Sequence, residues 1–249
     1  MEAARVAKTK GHDVVLFEKE TTLGGQLNIA AVPPRKYEMN RGIHYLTNEM
    51  KALDIDLRLG QAVCAKCVLD ENPDAVIVAV GAFNVIPNIP GCDLPHVYDA
   101  WKVLNHEQLP SGKVVVIGGG LVGAETAELL AQMGAEVTIV EMMDTIAKEE
   151  STTVRPTMMA DFEKHGVKQY VNTKVTAITP TSLEAQNEEG QLSIDCDYVV
   201  LAVGAKPNTF DTSLLEEKGI KVYVVGDCHD KAADINHAIE EGYLAANGI

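Results

Sequence analysis

Three glycines and one glutamate in the middle of the chain have the spacing of a dinucleotide site. Gly118, Gly120 and Gly123 follow the β-branched run 114–117, and Glu141 lies 23 positions beyond Gly118. Gly118 permits a tight turn, Gly120 lets a pyrophosphate approach the backbone, and Gly123 lets a helix lie close to the preceding strand. A carboxylate at the position of Glu141 accepts hydrogen bonds from the ribose hydroxyls and repels a 2′-phosphate. The pattern therefore predicts NAD(H) in preference to NADP(H).

The glycine motif alone is weak evidence, because three glycines at this spacing also close ordinary strand-to-helix turns. Its context is stronger: a strand precedes it, a helix follows as far as Gly134, and a second strand over residues 137–140 ends at the acid. We expect the cofactor to contact further backbone positions in the loop and at the end of a later strand, namely Gly119, Leu121, Val122 and Gly204.

The chain also contains a second, incomplete copy of the same unit. Residues 1–18 align with residues 124–141, and residues 74–82 with residues 197–205, at a constant offset of 123 positions. Glu18 thereby corresponds to Glu141. The residue before Met1 would align with Gly123, so we expect a chain that lacks the opening strand and glycine loop of its first copy.

The elements that carry these residues predict an α/β fold. Two Rossmann-like nucleotide-binding domains are expected, the second inserted into the first, with an antiparallel β meander over residues 174–195. We place the first domain at residues 1–110 plus 211–249 and the second at residues 111–210. The apolar run 74–80 is expected to be a strand buried on both faces.

Composition indicates which partners and which compartment to expect. The net charge is −15, from 21 Lys plus Arg and 36 Asp plus Glu, with the acids scattered along the chain. We therefore expect neither nucleic acid nor anionic membranes as partners. No apolar run approaches the roughly 20 residues of a membrane span. Five cysteines without framework spacing fit a reducing compartment, and we expect a cytoplasmic protein.

These motifs resemble the carboxyl-terminal nucleotide-binding half of the NADH:flavin oxidoreductase family, which includes 2,4-dienoyl-CoA reductase, 2-enoate reductases and trimethylamine dehydrogenase. The resemblance rests on the segments EAARVAKTKGHDVVLFEK, LGGQLNIAAVPP, DAVIVAVGA, KVVVIGGGLVGAETAELLAQMGAEVTIVE, DYVVLAVGAKPN and VYVVGDC…HAIEEGYLAAN. It implies an FAD/NAD-linked reductase fold. In such proteins an amino-terminal TIM barrel, absent from these residues, carries FMN and a 4Fe-4S cluster and binds the organic substrate.

The resemblance also implies how the chain would act. NADH would bind at residues 118–123 and Glu141 and pass hydride to FAD, a transfer that needs no catalytic acid, base or nucleophile from the protein. The first domain would hold FAD through Glu18 at the adenosine ribose, the Val63 backbone at the adenine, and Gly25 and Gln26 at the pyrophosphate side. Asp227 would accept a ribityl hydroxyl, and the end of the last helix near Ala238 would lie beside the flavin ring. Lys19 and Gly81 are further expected contacts of the cofactor. Without the first glycine loop, the FAD pyrophosphate loses its main cradle.

A Cys-x-x-Cys pair, Cys64 and Cys67, leaves several interpretations open. It could be a redox disulfide or half of a zinc site, but no second pair completes zinc ligation. It also precedes the strand at Asp74, unlike the redox pairs of thioredoxin reductases or glutathione-reductase-like enzymes. Partly buried free thiols are the favoured interpretation, and no metal site is expected at Cys92, Cys196 or Cys228.

Three function classes follow from the sequence. The first is an oxidoreductase module that passes hydride from NADH to FAD and feeds a separate FMN and iron–sulfur barrel. The second is a pyridine-nucleotide disulfide reductase, and the third is a nucleotide-binding scaffold without hydride transfer. The organic substrate cannot be inferred from these residues, and a homo-oligomer is an open alternative.

Overall fold

The computed structural model describes all residues, 1–249. Its helices are α1 (Glu2–Thr9), α2 (Gln26–Ala30), α3 (Met39–Ala52), α4 (Ala65–Leu69), α5 (Ala100–Leu104), α6 (Leu121–Gln132), α7 (Arg155–His165), α8 (Ser213–Glu217) and α9 (Ile235–Asn247). Its strands are β1 (Val15–Phe17), β2 (Asp56–Arg58), β3 (Ala75–Val78), β4 (Ala82–Asn84), β5 (Val97–Asp99), β6 (Lys113–Ile117), β7 (Glu136–Val140), β8 (Lys168–Tyr170), β9 (Lys174–Ile178), β10 (Ser182–Asn187), β11 (Gly190–Asp195), β12 (Tyr198–Leu201), β13 (Ala205–Pro207) and β14 (Lys221–Val224). No helix is long and apolar enough to cross a membrane.

The chain forms two compact units, and the first comprises residues 1–31, 38–83 and 205–249. Its parallel strands form two separate pairs, β1 with β2 and β3 with β14. Nothing in this unit corresponds to the central strand of the second unit. Only Val78 of β3 is buried, so the expectation of burial on both faces was wrong. The physical reason is that β3 has a neighbouring strand on one side only.

The second unit comprises residues 32–37 and 84–204. Its parallel sheet has the order β5-β12-β6-β7-β8, with β6 at the centre, and the antiparallel meander β11-β10-β9 forms a second sheet. The buried strand residues Val114, Val116 and Ile139 pack with helix residues such as Leu130 and Phe162. The predicted α/β class with parallel sheets and a meander is confirmed.

The unit boundary differs from the domain boundary expected from the sequence. Residues 84–110 lie with the second unit because β5 pairs in parallel with β12 and α5 packs against α6. This stretch contains four prolines, yet it includes both β5 and α5. After residue 38 the chain passes from the first unit to the second within β4 and returns at the start of β13, and these two strands pair with each other.

Residues 32–37 join the second unit through ion pairs, two of them to buried glutamates. Arg35 donates to both carboxylate oxygens of Glu128, at 2.6 and 2.7 Å, and also to Asp161 at 2.7 Å. Lys36 pairs with Glu125. Glu128 is 1 % exposed, and burial raises its pKa more than Arg35 lowers it. The arginine therefore compensates a carboxylate that is costly to bury.

We expect Arg35→Ala to lower the free energy of unfolding by about 3 kcal/mol, because it leaves Glu128 buried without its main partner. Urea unfolding followed by fluorescence measures this, since Trp101, the single tryptophan, lies in the second unit. The double variant R35A/E128L should recover most of the loss. Arg41→Ala is the control, because its ion pair with Glu38 is exposed, and it should change stability by less than about 0.5 kcal/mol. Equal effects of R35A and R41A would contradict the assignment.

Candidate nucleotide and flavin sites

The glycine loop after β6 is shaped by two positions where no side chain fits. Gly118 has φ +100°, and a Cβ there would lie 2.3 Å from the Ala202 carbonyl oxygen. A Cβ on Gly123 would lie 1.9 Å from the carbonyl oxygen of Gly118. Since real Cβ atoms do not approach backbone oxygens this closely, both glycines are required for the turn and for the approach of α6 to β6.

Gly120 lies on the open side of the same loop. It is exposed, and no atom lies within 4 Å of a Cβ built on it. The first bond within α6 runs from the Ala124 amide to the Gly120 carbonyl, so the amides of Leu121, Val122 and Gly123 have no intrahelical acceptor. These amides and the free space beside Gly120 can accommodate an anion such as a pyrophosphate.

Glu141 follows β7 and faces the glycine loop. Its carboxylate accepts hydrogen bonds from the Gly119 amide at 2.5 Å and from the Met143 amide at 2.7 Å. The side chain is buried, and no Lys, Arg or His forms an ion pair with it. Carboxylate oxygens have further acceptor capacity, so Glu141 can receive ribose hydroxyls without losing both amides.

Two other glycines near the loop have different surroundings. Gly119 is buried, and a Cβ there would lie 2.4 Å from Ile146 Cδ1 and 3.1 Å from Glu141 Cβ. A side chain at Gly119 would thus displace Ile146 and crowd Glu141. Gly204 is exposed with φ +106°, and its carbonyl accepts a hydrogen bond from the Val85 amide at 2.9 Å. Its proposed role as a cofactor contact stays a prediction.

In the first unit, the structure brings together three of the predicted cofactor-binding residues, Gln26, Gly81 and Asp227. Gln26 Nε2 donates to Asp227 Oδ2 at 3.1 Å, and the Ala233 amide donates to Asp227 Oδ1 at 2.9 Å. A Cβ on Gly81 would lie 2.9 Å from Gln26 Nε2. We call these three residues the Gln26–Asp227 cluster. It is a half-buried polar group at the ends of strands.

Glu18 and Val63 belong to a second group in this unit. The Gln61 amide donates to the Glu18 carbonyl at 2.8 Å, which brings the segment carrying Val63 beside the end of β1. The Glu18 carboxylate accepts the Glu20 amide at 2.9 Å. Lys19 is exposed, with its Nζ 3.9 Å from Glu20. No contact joins these residues to the Gln26–Asp227 cluster.

Glu241 is a residue that sequence reasoning missed. It lies on α9 and accepts a hydrogen bond from the Gly226 amide at 2.6 Å, while Ala238 packs 3.5 Å from where a Gly226 Cβ would be. His229 Nδ1 lies 3.0 Å and His237 Nε2 3.2 Å from Glu241 Oε1. Only the spacing of four between His237 and Glu241 was visible in the sequence, because the other contacts are long-range.

Comparisons with known proteins place this geometry in a known family. Residues 1–242 match the family described as "pyridine nucleotide-disulphide oxidoreductase". The chain is 70 % identical over 247 residues to bilirubin reductase of Mediterraneibacter gnavus, covering 99 % of this chain and 38 % of that one. It is 38 % identical to NADH oxidase of Thermoanaerobacter brockii, covering 99 % and 39 %.

A solved structure also shares this fold. The fold superposes on a 2-naphthoyl-CoA reductase complex with a TM-score of 0.91 at 29 % identity, covering 100 % of this chain and 38 % of the other. The chain therefore spans about two fifths of the length of these relatives.

Two glycine substitutions test cofactor binding and fold stability separately. Gly120→Ala should leave stability unchanged, since the methyl group meets no protein atom, but weaken NADH binding at least about tenfold by occupying the ligand's space. Gly123→Ala should lower the free energy of unfolding by about 2 kcal/mol through its clash with Gly118. Titration calorimetry with NADH and urea unfolding measure the two effects. Unchanged NADH affinity in G120A would refute the proposed approach to Gly120.

The cluster around Glu241 predicts a pH dependence of stability. Glu241 raises the pKa of His229; burial opposes the charge of Glu241, yet His229 and the Gly226 amide still hold its pKa below the usual value. The His229 contribution is complete below about pH 6.5 and is lost as pH rises through its folded pKa. The Glu241 contribution is present above about pH 4.3 and is lost as pH falls. The pair therefore stabilises most between these values.

The variant His229→Asn should reduce the thermal midpoint more at about pH 5.5 than at about pH 8. His237, also facing Glu241, and Asp230, 3.9 Å from His229, are retained in this variant. His44 is exposed and forms no ion pair, so His44→Asn should show no such pH dependence. A loss in H229N that is the same at both pH values would contradict the pairing.

Proposed function

The chain belongs to the pyridine nucleotide-disulphide oxidoreductase family, and from this premise we propose that it is the NADH-oxidising module of a larger flavoenzyme. The family and the reductases among its relatives make it a flavin- and pyridine-nucleotide-dependent oxidoreductase module. The observation that carries the proposal is the glycine loop of the second unit, with open space at Gly120 and a carboxylate at Glu141 without a cation.

The second unit fits the dinucleotide. The amides at the start of α6 would bind the pyrophosphate of NADH, with Gly120 allowing close approach. Glu141 would accept hydrogen bonds from the adenosine ribose, and its negative charge would disfavour the 2′-phosphate of NADPH. Gly118 and Gly123 would act indirectly, by holding the turn and α6 in place.

The first unit fits the flavin side of FAD. The Gln26–Asp227 cluster offers an amide and a carboxylate side by side, suited to the pyrophosphate side and a ribityl hydroxyl respectively. Glu18, with Lys19 and the Val63 backbone nearby, would bind the adenosine. Helix α9 has 13 residues, so the amides of its first turn near Ala238 would favour negative charge on the flavin.

When bound, FAD would supply the acceptor for the hydride of NADH. The protein would provide no acid or base for this step; its residues would bind both cofactors, align them and exclude water. Gln26 and the Ala233 amide each donate a hydrogen bond to one oxygen of the Asp227 carboxylate, and these bonds would orient it toward the flavin.

We propose that the remainder of the protein completes the reaction. Relatives of which this chain covers about two fifths include a bilirubin reductase and a 2-naphthoyl-CoA reductase complex. As in the enoate reductase-like proteins that the sequence resembles, electrons would pass from FAD to a barrel with FMN and a 4Fe-4S cluster. There the organic substrate would be bound and reduced, so residues 1–249 would not determine substrate choice.

The test is the absorbance of the purified chain, supplemented with FAD and freed of excess, before and after NADH is added without oxygen. We expect a bound flavin spectrum that bleaches with NADH. In Glu141→Gln the preference for NADH over NADPH should fall about tenfold, because the repelling charge is gone while the shape is kept. A bound flavin that neither nucleotide bleaches would favour the scaffold interpretation. A colourless protein that still binds NADH would refute the FAD part of the proposal.

A further inference from the structure

Cys64 and Cys67 lie close together on the surface, directly after Val63, whose backbone we assign to the adenine of FAD. Their Sγ atoms are 3.3 Å apart, and both residues are exposed. The expectation of partly buried thiols was therefore wrong. The backbone explains the contact: Cys64 is extended at φ −110° and ψ 168°, whereas Cys67 lies in the first turn of α4, so the two side chains converge.

The other cysteines differ from this pair both in their exposure and in having no thiol nearby. Cys196 and Cys228 are buried, and Cys92 is half-buried. Burial, helped by the neighbouring Asp197 and Asp195, raises the pKa of Cys196 to about 11, so its thiolate is scarce at neutral pH. Exposure and a thiol partner are thus properties of the Cys64 and Cys67 pair alone in this chain.

We propose that Cys64 and Cys67 form a thiol–disulfide exchange site, with Cys64 as the attacking thiol and Cys67 as the resolving thiol, for external disulfides of the glutathione class. The groups around the Cys64 sulfur favour it as the attacking thiol. The Cys67 amide, the Cys67 thiol and the Lys66 amide lie beside its sulfur and lower its pKa, which increases the thiolate fraction.

The exchange balances in two steps. The Cys64 thiolate attacks one sulfur of the external disulfide, whose sulfur–sulfur bond breaks, and the departing thiolate takes up the proton that Cys64 released. The Cys67 thiolate then attacks Cys64 in the mixed disulfide, and the second external thiol leaves with the proton of Cys67. The protein dithiol loses two electrons and two protons, and the external disulfide gains them.

A metal site is less well supported by the same geometry. No group of three or more His, Cys, Asp or Glu side chains is placed to hold a metal ion in this chain, so two sulfurs would be the only protein ligands. Structural zinc sites need four ligands. The exposed pair therefore fits exchange with another sulfur compound better than ligation.

The experiment treats the reduced protein with oxidised glutathione, then alkylates the denatured protein and analyses it by mass spectrometry. Wild type should acquire an internal disulfide between Cys64 and Cys67, with Cys196 and Cys228 still alkylated, and dithiothreitol should reverse it. Cys67→Ser should stop at a glutathione adduct on Cys64. Cys64→Ser should form an adduct on Cys67 at least tenfold more slowly. Flavin is not needed for any of these readouts, so they are independent of the proposed cofactor chemistry.

Three outcomes would overturn the proposal. One is that both thiols remain free, or carry stable adducts, in the wild type. Another is that C64S reacts as fast as C67S, which would remove the assigned roles. The third is that iodoacetamide labels Cys64 no faster than the same cysteine in a peptide of residues 61–70, which would show that the folded pair confers no reactivity.

Discussion

The close approach of Gly123 to the carbonyl of Gly118 is the constraint on which the nucleotide site depends. Because these two positions touch, α6 begins directly over the end of β6, and its unpaired first amides point at the loop. The same turn packs Gly118 against Ala202 after β12, which fixes the loop to the neighbouring strand. The amide of Gly119 is thereby held where Glu141 can accept its hydrogen bond.

The first unit repeats part of the layout of the second. Its strands match those of the second unit at an offset of 123 residues, but they remain as two pairs because no central strand joins them. Its polar residues are held by long-range contacts instead. Gln26 and Asp227 are 201 positions apart, and Gly226 and Glu241 are connected through α9. The flavin-side residues therefore depend on the carboxyl-terminal segment returning to β3.

Sequence reasoning succeeded where the determinants are local. The glycine loop and the meander are set by spacing within a few tens of residues, so their elements could be predicted. It failed for β5, whose three residues become a strand only by pairing with β12 about a hundred positions later. It also missed the ion pairs of Arg35, since an arginine after two prolines carries no signal for a buried glutamate 93 positions away. The exposure of Cys64 and Cys67 likewise depends on how α4 packs, which their spacing does not encode.

The three buried glutamates of the second unit differ in how their charge is compensated, and this difference has a functional consequence. Glu125 and Glu128 are paired with the cations of residues 32–37. Glu141 is compensated by two backbone amides and by no cation. Amides stabilise a carboxylate without adding a positive charge, so the field of Glu141 at the loop stays negative. Had Arg35 or Lys36 been directed to Glu141 instead, the loop would carry a cation suited to a 2′-phosphate. Because no cation pairs with Glu141, its negative charge is retained for the selectivity that we assign to it.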